Sequence, residues 1–512
     1  MKQSLIFIPM FFLISNFLFA QKVSTRISVR DDRGEYEYKS SDTFSSYEIK
    51  YKGKIAITND EKGIASISPG GYFKVSKTTF GNKRAVVIES NSSGQLSYEY
   101  FSGKSREDFD DEGKAWLADI MLDVLRKTGL GADIRVKRLY SNGGIDKVLD
   151  EISEIESSSV QGLYFENLLE LNNLKKGEPG LIAKKIGYII SSSSEKGRIF
   201  RKYASKFLQD ESSADAYFEG VSRITSSSEK GSVLRSVLKN NKLSVSALTK
   251  LLETAEDISS SSETGSVLRV VNDVFVNNES FIEAYFNTVD HITSSSERGS
   301  VLRSLMQKNT INARAMERLL KSASNISSSS EQGSILRTAI EKGLHNDEKV
   351  QSQFFDALDR ISSTSEKGSV LRNLLSETTL TNESMVKVFK SIRNISSSSE
   401  KGATLRKSFH LVGKSTVADQ EFFKAVESID SSSEKGSVLS SLTDENNLSE
   451  SVILQILKAS ETISSSSEKG HVLVNVGKVM DKSNPKLKEA YKEAARTITS
   501  DSEYRRVMEE MY

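Results

Sequence analysis

Hydrophobic and polar residues alternate with a period of two along the first part of the chain, from Lys22 to about Phe101. Glycine, proline and asparagine separate short runs of β-forming residues, four of which are Tyr47 to Tyr51, Ile55 to Ile57, Tyr72 to Val75 and Arg84 to Ile88. This pattern is typical of strands with one buried face. We predict a β-rich head over residues 21–104, with seven or eight strands in an antiparallel meander or small sandwich.

The hydrophobic period becomes that of a helix after the head. Six apolar residues recur at helical spacing: Trp116, Leu117, Ile120, Met121, Val124 and Leu125. We predict a helical connector over residues 105–150, with Trp116 buried where the head meets the rest of the chain. An exposed tryptophan that binds a ligand is the alternative. Gly129 and Gly131 lack the third glycine and the preceding strand of a dinucleotide-binding loop, so we predict that they end a helix.

A short motif then recurs through the remaining sequence. Its first full copy is Ile190-Ser191-Ser192-Ser193-Ser194-Glu195-Lys196-Gly197, and further copies begin at Ile224, Ile258, Ile292, Ile326, Ile361, Ile395, Ile429 and Ile463. Degenerate copies begin at Ile155 and Ile498, as expected for terminal repeats that face water on one side. Self-similarity at a step of 34 or 35 residues is typical of a solenoid. We therefore predict about eleven two-helix repeats over residues 151–512.

Each repeat is predicted to hold a short helix, a turn and a longer helix. In the copy that begins at Ile224, Val233, Leu234, Val237 and Leu238 form one apolar stripe. A second stripe follows the turn at residues 239–242 and consists of Leu248, Leu251, Leu252, Ala255 and Ile258. The motif glycine is unfavourable inside a helix, so its recurrence predicts a close approach of neighbouring helices. The fold class is α+β: an antiparallel β head followed by an α/α superhelix.

The serine and glutamate of each motif have the spacing of a capping box. In a capping box the serine oxygen accepts from the amide three residues on, and the glutamate accepts from the serine amide. The candidate pairs include Ser192 and Glu195, Ser226 and Glu229, Ser260 and Glu263, and Ser294 and Glu297. We predict capping and packing, rather than catalysis, as the role of the serine runs. The serines on either side of the cap are only partly explained in this way.

An arginine also recurs at one repeat position and is the candidate binding feature. The row consists of Arg201, Arg235, Arg269, Arg303, Arg337, Arg372 and Arg406; Ser440 and Val474 replace it in the last two full copies. One interpretation is a basic stripe that binds acidic peptides or polysaccharide. The favoured alternative is a row of ion pairs with glutamates of adjacent repeats.

The composition limits the kinds of ligand and functional site that the chain can have. The 70 basic and 69 acidic residues nearly balance, which argues against a nucleic-acid or anionic-membrane surface along the whole chain. The absence of cysteine excludes disulfides, thiolate nucleophiles and cysteine-based zinc sites. Four histidines are scattered singly, without partners at helical spacing: His291, His345, His410 and His471. We therefore predict no metal, no cofactor and no enzymatic activity.

The N-terminus has the pattern of a secretory signal. Lys2 precedes an apolar run from Leu5 to Phe19, and Ala20 precedes the polar Gln21. We predict a signal peptide over residues 1–20, cleaved after Ala20, and a periplasmic or secreted mature chain with no membrane span. An uncleaved anchor helix is the alternative.

The layout resembles a group of exported bacterial proteins with HEAT-like helical repeats. The shared features are the β head, the repeated Ser-x-Ser-Glu-Lys-Gly-x-Val-Leu pattern, and junction segments that here are Trp116 to Ala118, Thr128 to Ala132 and Leu149 to Ile152. The resemblance implies an α/α superhelix. Related repeats occur near membrane metallopeptidases of the β-lactam-sensor type, but this sequence has no His-Glu-x-x-His motif, so peptidase activity is not implied.

Three functions are compatible with the sequence. The first is a non-catalytic scaffold that binds a protein or peptide partner in the cell envelope, with polysaccharide as another possible ligand. The second is a sensor or regulatory arm that acts with a membrane metallopeptidase or another envelope protein. The third is an enzyme with its site in the head or the junction, which a pocket of perturbed carboxylates around Trp116 would favour.

Overall fold

The computed structural model describes residues 24–28, 34–343, 347–377, 380–445 and 448–511, with side chains omitted for 24–28 and 377. The predicted signal peptide lies outside the described residues. The chain forms two compact units, Met1–Tyr203 and Ala204–Tyr512. Each unit is described in turn.

The first unit begins with an antiparallel sheet. Seven strands pair in the order β1-β2-β3-β6-β7-β8-β9, and β4 pairs with β5 in a separate hairpin. The meander prediction is confirmed, and the four predicted strand runs lie in β3, β4, β6 and β7. The strands are β1 Ser24–Ser28, β2 Glu35–Ser41, β3 Ser45–Lys52, β4 Ile55–Ile57, β5 Ile64–Ile67, β6 Tyr72–Thr79, β7 Asn82–Ser90, β8 Leu96–Ser102 and β9 Ser105–Glu107.

One face of the sheet is covered by helix α1 (Asp111–Thr128). Ile49, Phe73 and Val86 of the sheet and Met121 and Val124 of the helix are fully buried in one core. Trp116 is half-buried in this core, with its ring 6.2 Å from that of Tyr100. The tryptophan therefore packs within the head, because α1 covers the sheet instead of linking it to the repeats. The sheet itself continues to Glu107, beyond residue 104.

Gly129 ends α1, as predicted, whereas Gly131 begins the next helix. Gly129 and Gly131 both have positive φ angles, of 70° and 67°, that other residues rarely adopt. Helix α2 (Ala132–Ser153) follows. It carries Arg135, which is 3% exposed and donates hydrogen bonds to Glu61 in the β4–β5 hairpin and to Glu151. This buried ion cluster fixes the hairpin to the first helices.

Eleven described helices begin within the serine motifs, which confirms the predicted number of repeats. We call them the motif helices: α3 Ser158–Leu169, α5 Ser193–Lys202, α8 Ser227–Asn240, α10 Ser261–Val271, α12 Ser295–Lys308, α14 Ser329–Glu341, α16 Thr364–Glu377, α18 Ser398–Lys407, α20 Ser432–Thr443, α22 Ser466–Val479 and α24 Asp501–Glu509.

The second helix of each repeat alternates with the motif helices, and we call these the partner helices. They are α4 Glu178–Ile189, α7 Glu211–Ser222, α9 Val245–Glu256, α11 Glu279–Asp290, α13 Ala313–Ser324, α15 Glu348–Asp359, α17 Asn382–Arg393, α19 Thr416–Glu427, α21 Glu450–Glu461 and α23 Pro485–Arg496. A short helix, α6 (Ala204–Phe207), precedes α7. Every partner helix has 12 residues, whereas motif helices have 9 to 14. The prediction that the second helix is the longer one is wrong for α8 and α9, because α8 extends to Asn240, into the predicted turn. It is right where the motif helix is α5, α10 or α18.

Within the second unit, helices pack in two layers. Consecutive motif helices contact one another, and so do consecutive partner helices. The predicted apolar stripes lie between the layers, where Val233, Leu234, Leu251 and Leu252 are fully buried. This is the α-solenoid arrangement of helical-repeat proteins. No helix among the described residues is both long and apolar enough to cross a membrane.

Candidate functional site

The motif serines cap the motif helices. The side chains of Ser192, Ser226, Ser260 and Ser294 each accept a hydrogen bond from the amide three residues later, at 3.3–3.4 Å. This half of the capping-box prediction is confirmed. The other half is wrong at Ser192 and Ser294, because their amides donate to the serine of the preceding repeat. The glutamate instead turns toward the preceding repeat.

In most motifs a second serine links consecutive repeats through its hydroxyl. Ser261 hydrogen-bonds to the Thr293 hydroxyl at 3.0 Å and accepts from the amides of Thr293 and Ser294. Equivalent hydroxyl pairs are Ser158 with Ser191, Ser227 with Ser259, Ser295 with Ser327, Ser329 with Ser362, Ser432 with Ser464 and Ser466 with Thr499. This hydroxyl row gives the serines around the cap a role, and the sequence alone did not reveal it.

We expect the Ser261→Ala variant to lose about 1–3 kcal/mol of unfolding free energy, since it leaves two amides of the next repeat without their acceptor. Chemical unfolding followed by circular dichroism measures this loss. Ser300→Ala is the matched control, because the Ser300 hydroxyl makes no hydrogen bond to a described residue. Equal stability of the two variants would contradict the inter-repeat role of Ser261.

The arginine row pairs with the motif glutamates across repeats. Arg235 contacts Glu263 at 2.7 Å, and Arg303 contacts Glu331 at 2.6 Å. The same pairing joins Arg269 to Glu297, Arg337 to Glu366, Arg372 to Glu400 and Arg406 to Glu434. Arg201 holds the equivalent place on α5 in the first unit. The six paired arginine side chains in the second unit are only 24–35% exposed. Because each arginine pairs with a glutamate, positive and negative charges alternate along the row. A ligand-binding role for it stays a prediction.

The motif glycine makes room for the same glutamate. A Cβ built on Gly265 would lie 2.6 Å from Glu297 Cδ and 2.7 Å from Glu297 Cγ, closer than real side chains approach. A Cβ on Gly231 would lie 2.6 Å from Glu263 Oε2. The predicted close approach is thus confirmed, and its cause is the carboxylate of the following repeat. In the last repeat, Arg505 takes the glycine position.

The motif lysine is buried and contacts the end of a partner helix. Lys401, Lys435 and Lys469 are 5–7% exposed. Their ammonium groups donate to Ser428, Thr462 and Thr497, the residues that end α19, α21 and α23. A cation at this place suits the negative end of the helix dipole. Burial nevertheless lowers the pKa of each of these lysines.

The lowered pKa values of these three lysines predict how the stability of the fold changes with pH. Because the folded chain holds their protons less tightly than the unfolded chain, their contribution to stability rises as the pH increases from the folded pKa toward the ordinary value of 10.5. We expect the wild-type chain to gain stability relative to the triple variant Lys401→Met, Lys435→Met and Lys469→Met over this range. Urea unfolding at neutral pH and near the ordinary lysine pKa measures the difference. A constant difference would show that burial does not perturb the lysines.

No catalytic grouping emerges among the described residues. His291 contacts the carbonyl of Asn287, His410 lies in a 3-10 turn and His471 on α22, while His345 is outside the described residues. No cluster of three or more metal-ligating side chains occurs in the described parts of the chain. The half-buried carboxylate of Glu151 lies on α2. Burial alone raises its pKa, but hydrogen bonds from Arg126 and Arg135 outweigh this effect and lower it, so Glu151 stays ionised.

A cavity of about 550 Å³ lies on the sheet face opposite α1. Its floor includes Ala85, Val87 and Phe101, and Lys50 and Lys74 stand at its rim. No histidine or cysteine lines this cavity, so it has no nucleophile–base pair of the usual kind.

No protein-family model and no curated protein matches this sequence. Among solved structures, SYS-1 is 9% identical, covering 77% of this chain and 89% of its own, with a TM-score of 0.26. The SYS-1/POP-1 complex gives 10% identity, the same coverage and a TM-score of 0.24. An engineered protein, Northeast Structural Genomics Consortium target OR497, is 13% identical over 71% of this chain and 98% of its own, with a TM-score of 0.22. Scores this low support no functional argument.

Proposed function

We propose that this chain is an exported, non-catalytic scaffold that binds a protein partner through the outer face of its partner helices. The signal-like N-terminus supports export to the periplasm or to the outside of the cell. The binding face follows from how the repeats divide their residues between packing and surface. One observation carries this proposal: the recurring residues are engaged between repeats, whereas an outer position on the partner helices differs in almost every repeat.

In the second unit, that variable position lies five residues after the cap of each partner helix. It is exposed or half-buried throughout, and its occupants are Asp215, Thr249, Glu283, Glu317, Ser352, Val386, Gln420, Leu454 and Glu489. The recurring serine, glutamate, glycine and arginine, by contrast, contact neighbouring repeats. A constant frame with a changing surface is how helical-repeat proteins present extended binding faces.

The variation also favours a protein over a polysaccharide as the ligand. A regular polymer would meet the same chemical group at every repeat step and would favour identical side chains there. The outer positions are acidic, neutral polar or apolar in different repeats, which suits an irregular surface. The basic-stripe alternative is less favoured, because six of the seven guanidinium groups already pair with a carboxylate.

Crosslinked capture from the envelope fraction tests the proposal, with the chain from Gln21 onward as bait. We expect a specific envelope protein to be captured by the wild-type chain. The outer-face variant Ser352→Lys, Val386→Asp and Gln420→Lys should lose it. The variant Arg269→Gln, Arg303→Gln and Arg337→Gln is matched in number of changes and should retain it. Circular dichroism must show both variants folded.

Three other outcomes would each count against this reading. Loss of capture only in the arginine variant would assign binding to the arginine row. Capture of a membrane metallopeptidase would indicate that the chain is a sensor or regulatory arm instead of a scaffold. Absence of any captured protein, together with retention on an envelope glycan column, would replace the protein ligand with polysaccharide.

A further inference from the structure

Two exposed phenylalanines stand at one end of the head sheet. Phe80 is 76% exposed and Phe44 is 54% exposed, and their ring centroids are 5.6 Å apart. Phe80 is the most exposed of the large hydrophobic side chains among the described residues. Its amide donates to the Phe44 carbonyl at 2.8 Å, so the turn between β6 and β7 holds the turn between β2 and β3.

The backbone at Phe80 makes its identity unexpected. Phe80 and Gly81 form a two-residue hairpin loop, with φ angles of 48° and 82°. Loops with two positive φ angles strongly favour Asn-Gly, because a bulky side chain is strained in the left-handed region. Neither hairpin geometry nor the core requires phenylalanine here. Strain at an exposed position points to a role outside the fold.

Two lysines lie at the same end of the sheet, and one of them, Lys83, also lines the cavity on the sheet face. Lys83 and Lys104 are exposed, and the Gly103 amide donates to the Lys83 carbonyl at 2.7 Å, which places the β8–β9 turn next to the same end of the sheet. Neither lysine has an ion pair with a described residue. The nearby carboxylate of Asp42 accepts from the amides of Phe44 and Ser45. We call Phe44, Phe80, Lys83 and Lys104 the aromatic tip.

We propose that the aromatic tip docks on an anionic lipid bilayer, with both rings in the interfacial region and both lysines at the headgroups. This docking is independent of the proposed scaffold function. The positive charge of the tip and its small apolar area favour a lipid surface over a protein partner. Exposed lysines are attracted to anionic headgroups, and aromatic side chains suit the membrane interface. Two phenylalanines bury only about 150–250 Å² each, whereas a stable protein interface needs about 800 Å² per partner. The adjoining loop residues Thr43, Gly81 and Asn82 add little apolar surface.

Vesicle co-sedimentation of the chain from Gln21 onward tests the proposal. The vesicles are phosphatidylcholine, with or without phosphatidylglycerol. We expect binding to the anionic vesicles, reduced about tenfold for each ring removed in Phe44→Ser and Phe80→Gly. Phe80→Gly relieves the left-handed strain, so its thermal midpoint should be unchanged or higher, which separates lost binding from lost folding. Lys83→Glu with Lys104→Glu should weaken binding to the anionic vesicles far more than to phosphatidylcholine alone.

Val417→Ser is the matched control, because Val417 is 61% exposed on the repeat unit, and it should leave lipid binding unchanged. Failure of the wild-type chain to sediment with anionic vesicles would overturn the proposal. So would sedimentation that is indifferent to both phenylalanine changes. Capture of an envelope protein that depends on Phe44 and Phe80, without lipid binding, would assign the tip to a protein pocket instead.

Discussion

Replacing Arg269, Arg303 and Arg337 together by glutamate will destabilise the repeat unit by about 3–6 kcal/mol. Each change removes an ion pair with the following repeat and brings two carboxylates together at the same place. The estimate allows for the partial exposure of these pairs, each of which is worth about 1 kcal/mol or less. The denaturant midpoint of the helical signal in guanidinium chloride measures the effect.

A matched charge control separates pairing from net charge. Lys239→Glu, Lys321→Glu and Lys478→Glu change the net charge by the same amount at exposed positions that have no described ion pair. Because these lysines lie in the last turns of α8, α13 and α22, where a cation suits the helix dipole, we expect this variant to lose only about 1–2 kcal/mol. If the two triple variants lose equal stability, the arginine–glutamate pairs contribute nothing specific. Glutamine is the better replacement for these arginines in binding experiments, because reversal of their charge would disturb the stacking of the repeats.

The Gly265→Ala variant should lose about 1–3 kcal/mol of stability, although alanine is the better helix former by about 1 kcal/mol. The variant is less stable in spite of this propensity, because the added methyl group would overlap Glu297, which packs against Gly265 and pairs with Arg269. Displacing Glu297 disturbs two repeats at once. Thermal and chemical unfolding of the purified variant measure the change.

Gly436→Ala provides the control within the same motif. Its added Cβ would lie 3.0 Å from Glu468 Oε2, whereas its distance of 3.4 Å to Glu468 Cβ is an ordinary contact. No arginine holds that carboxylate, because Ser440 occupies the arginine position. Glu468 can therefore move aside. We expect Gly436→Ala to be neutral or stabilising by up to about 1 kcal/mol. A loss as large as that of Gly265→Ala would mean that the glycines are needed for some reason other than the paired glutamate.

Local patterns in the sequence predicted most of the elements. Alternation located strands such as β6 and β7, because each buries one face on α1. The serine motif located the start of the motif helices, because a side-chain cap depends only on residues within one turn. The motif glycine also predicted close packing correctly, since a residue so costly to a helix recurs only where space is short.

Contacts between repeats could not be predicted from those local patterns. The sequence predicts that the glutamate of the capping box accepts a hydrogen bond from a serine amide within its own turn. In the structure it pairs instead with an arginine 28 or 29 residues earlier, which only the stacking of repeats brings near. The hydroxyl row depends on stacking in the same way. The place of Trp116 in the sequence predicts a position at the junction, whereas the packing of α1 on the sheet decides its neighbours. The motif lysine recurs at one repeat position as the arginine does, and this recurrence is the sequence signal for its structural role.

A double-mutant cycle between Gly265→Ala and Glu297→Ala tests most directly whether the repeated motif is a device for stacking. Unfolding free energies of the wild-type chain, both single variants and the double variant give the coupling between the two residues. If the glycine exists to receive the glutamate of the next repeat, Gly265→Ala will be destabilising in the wild-type chain. It will be neutral or stabilising once Glu297 is alanine. An equal loss in both backgrounds would contradict the account.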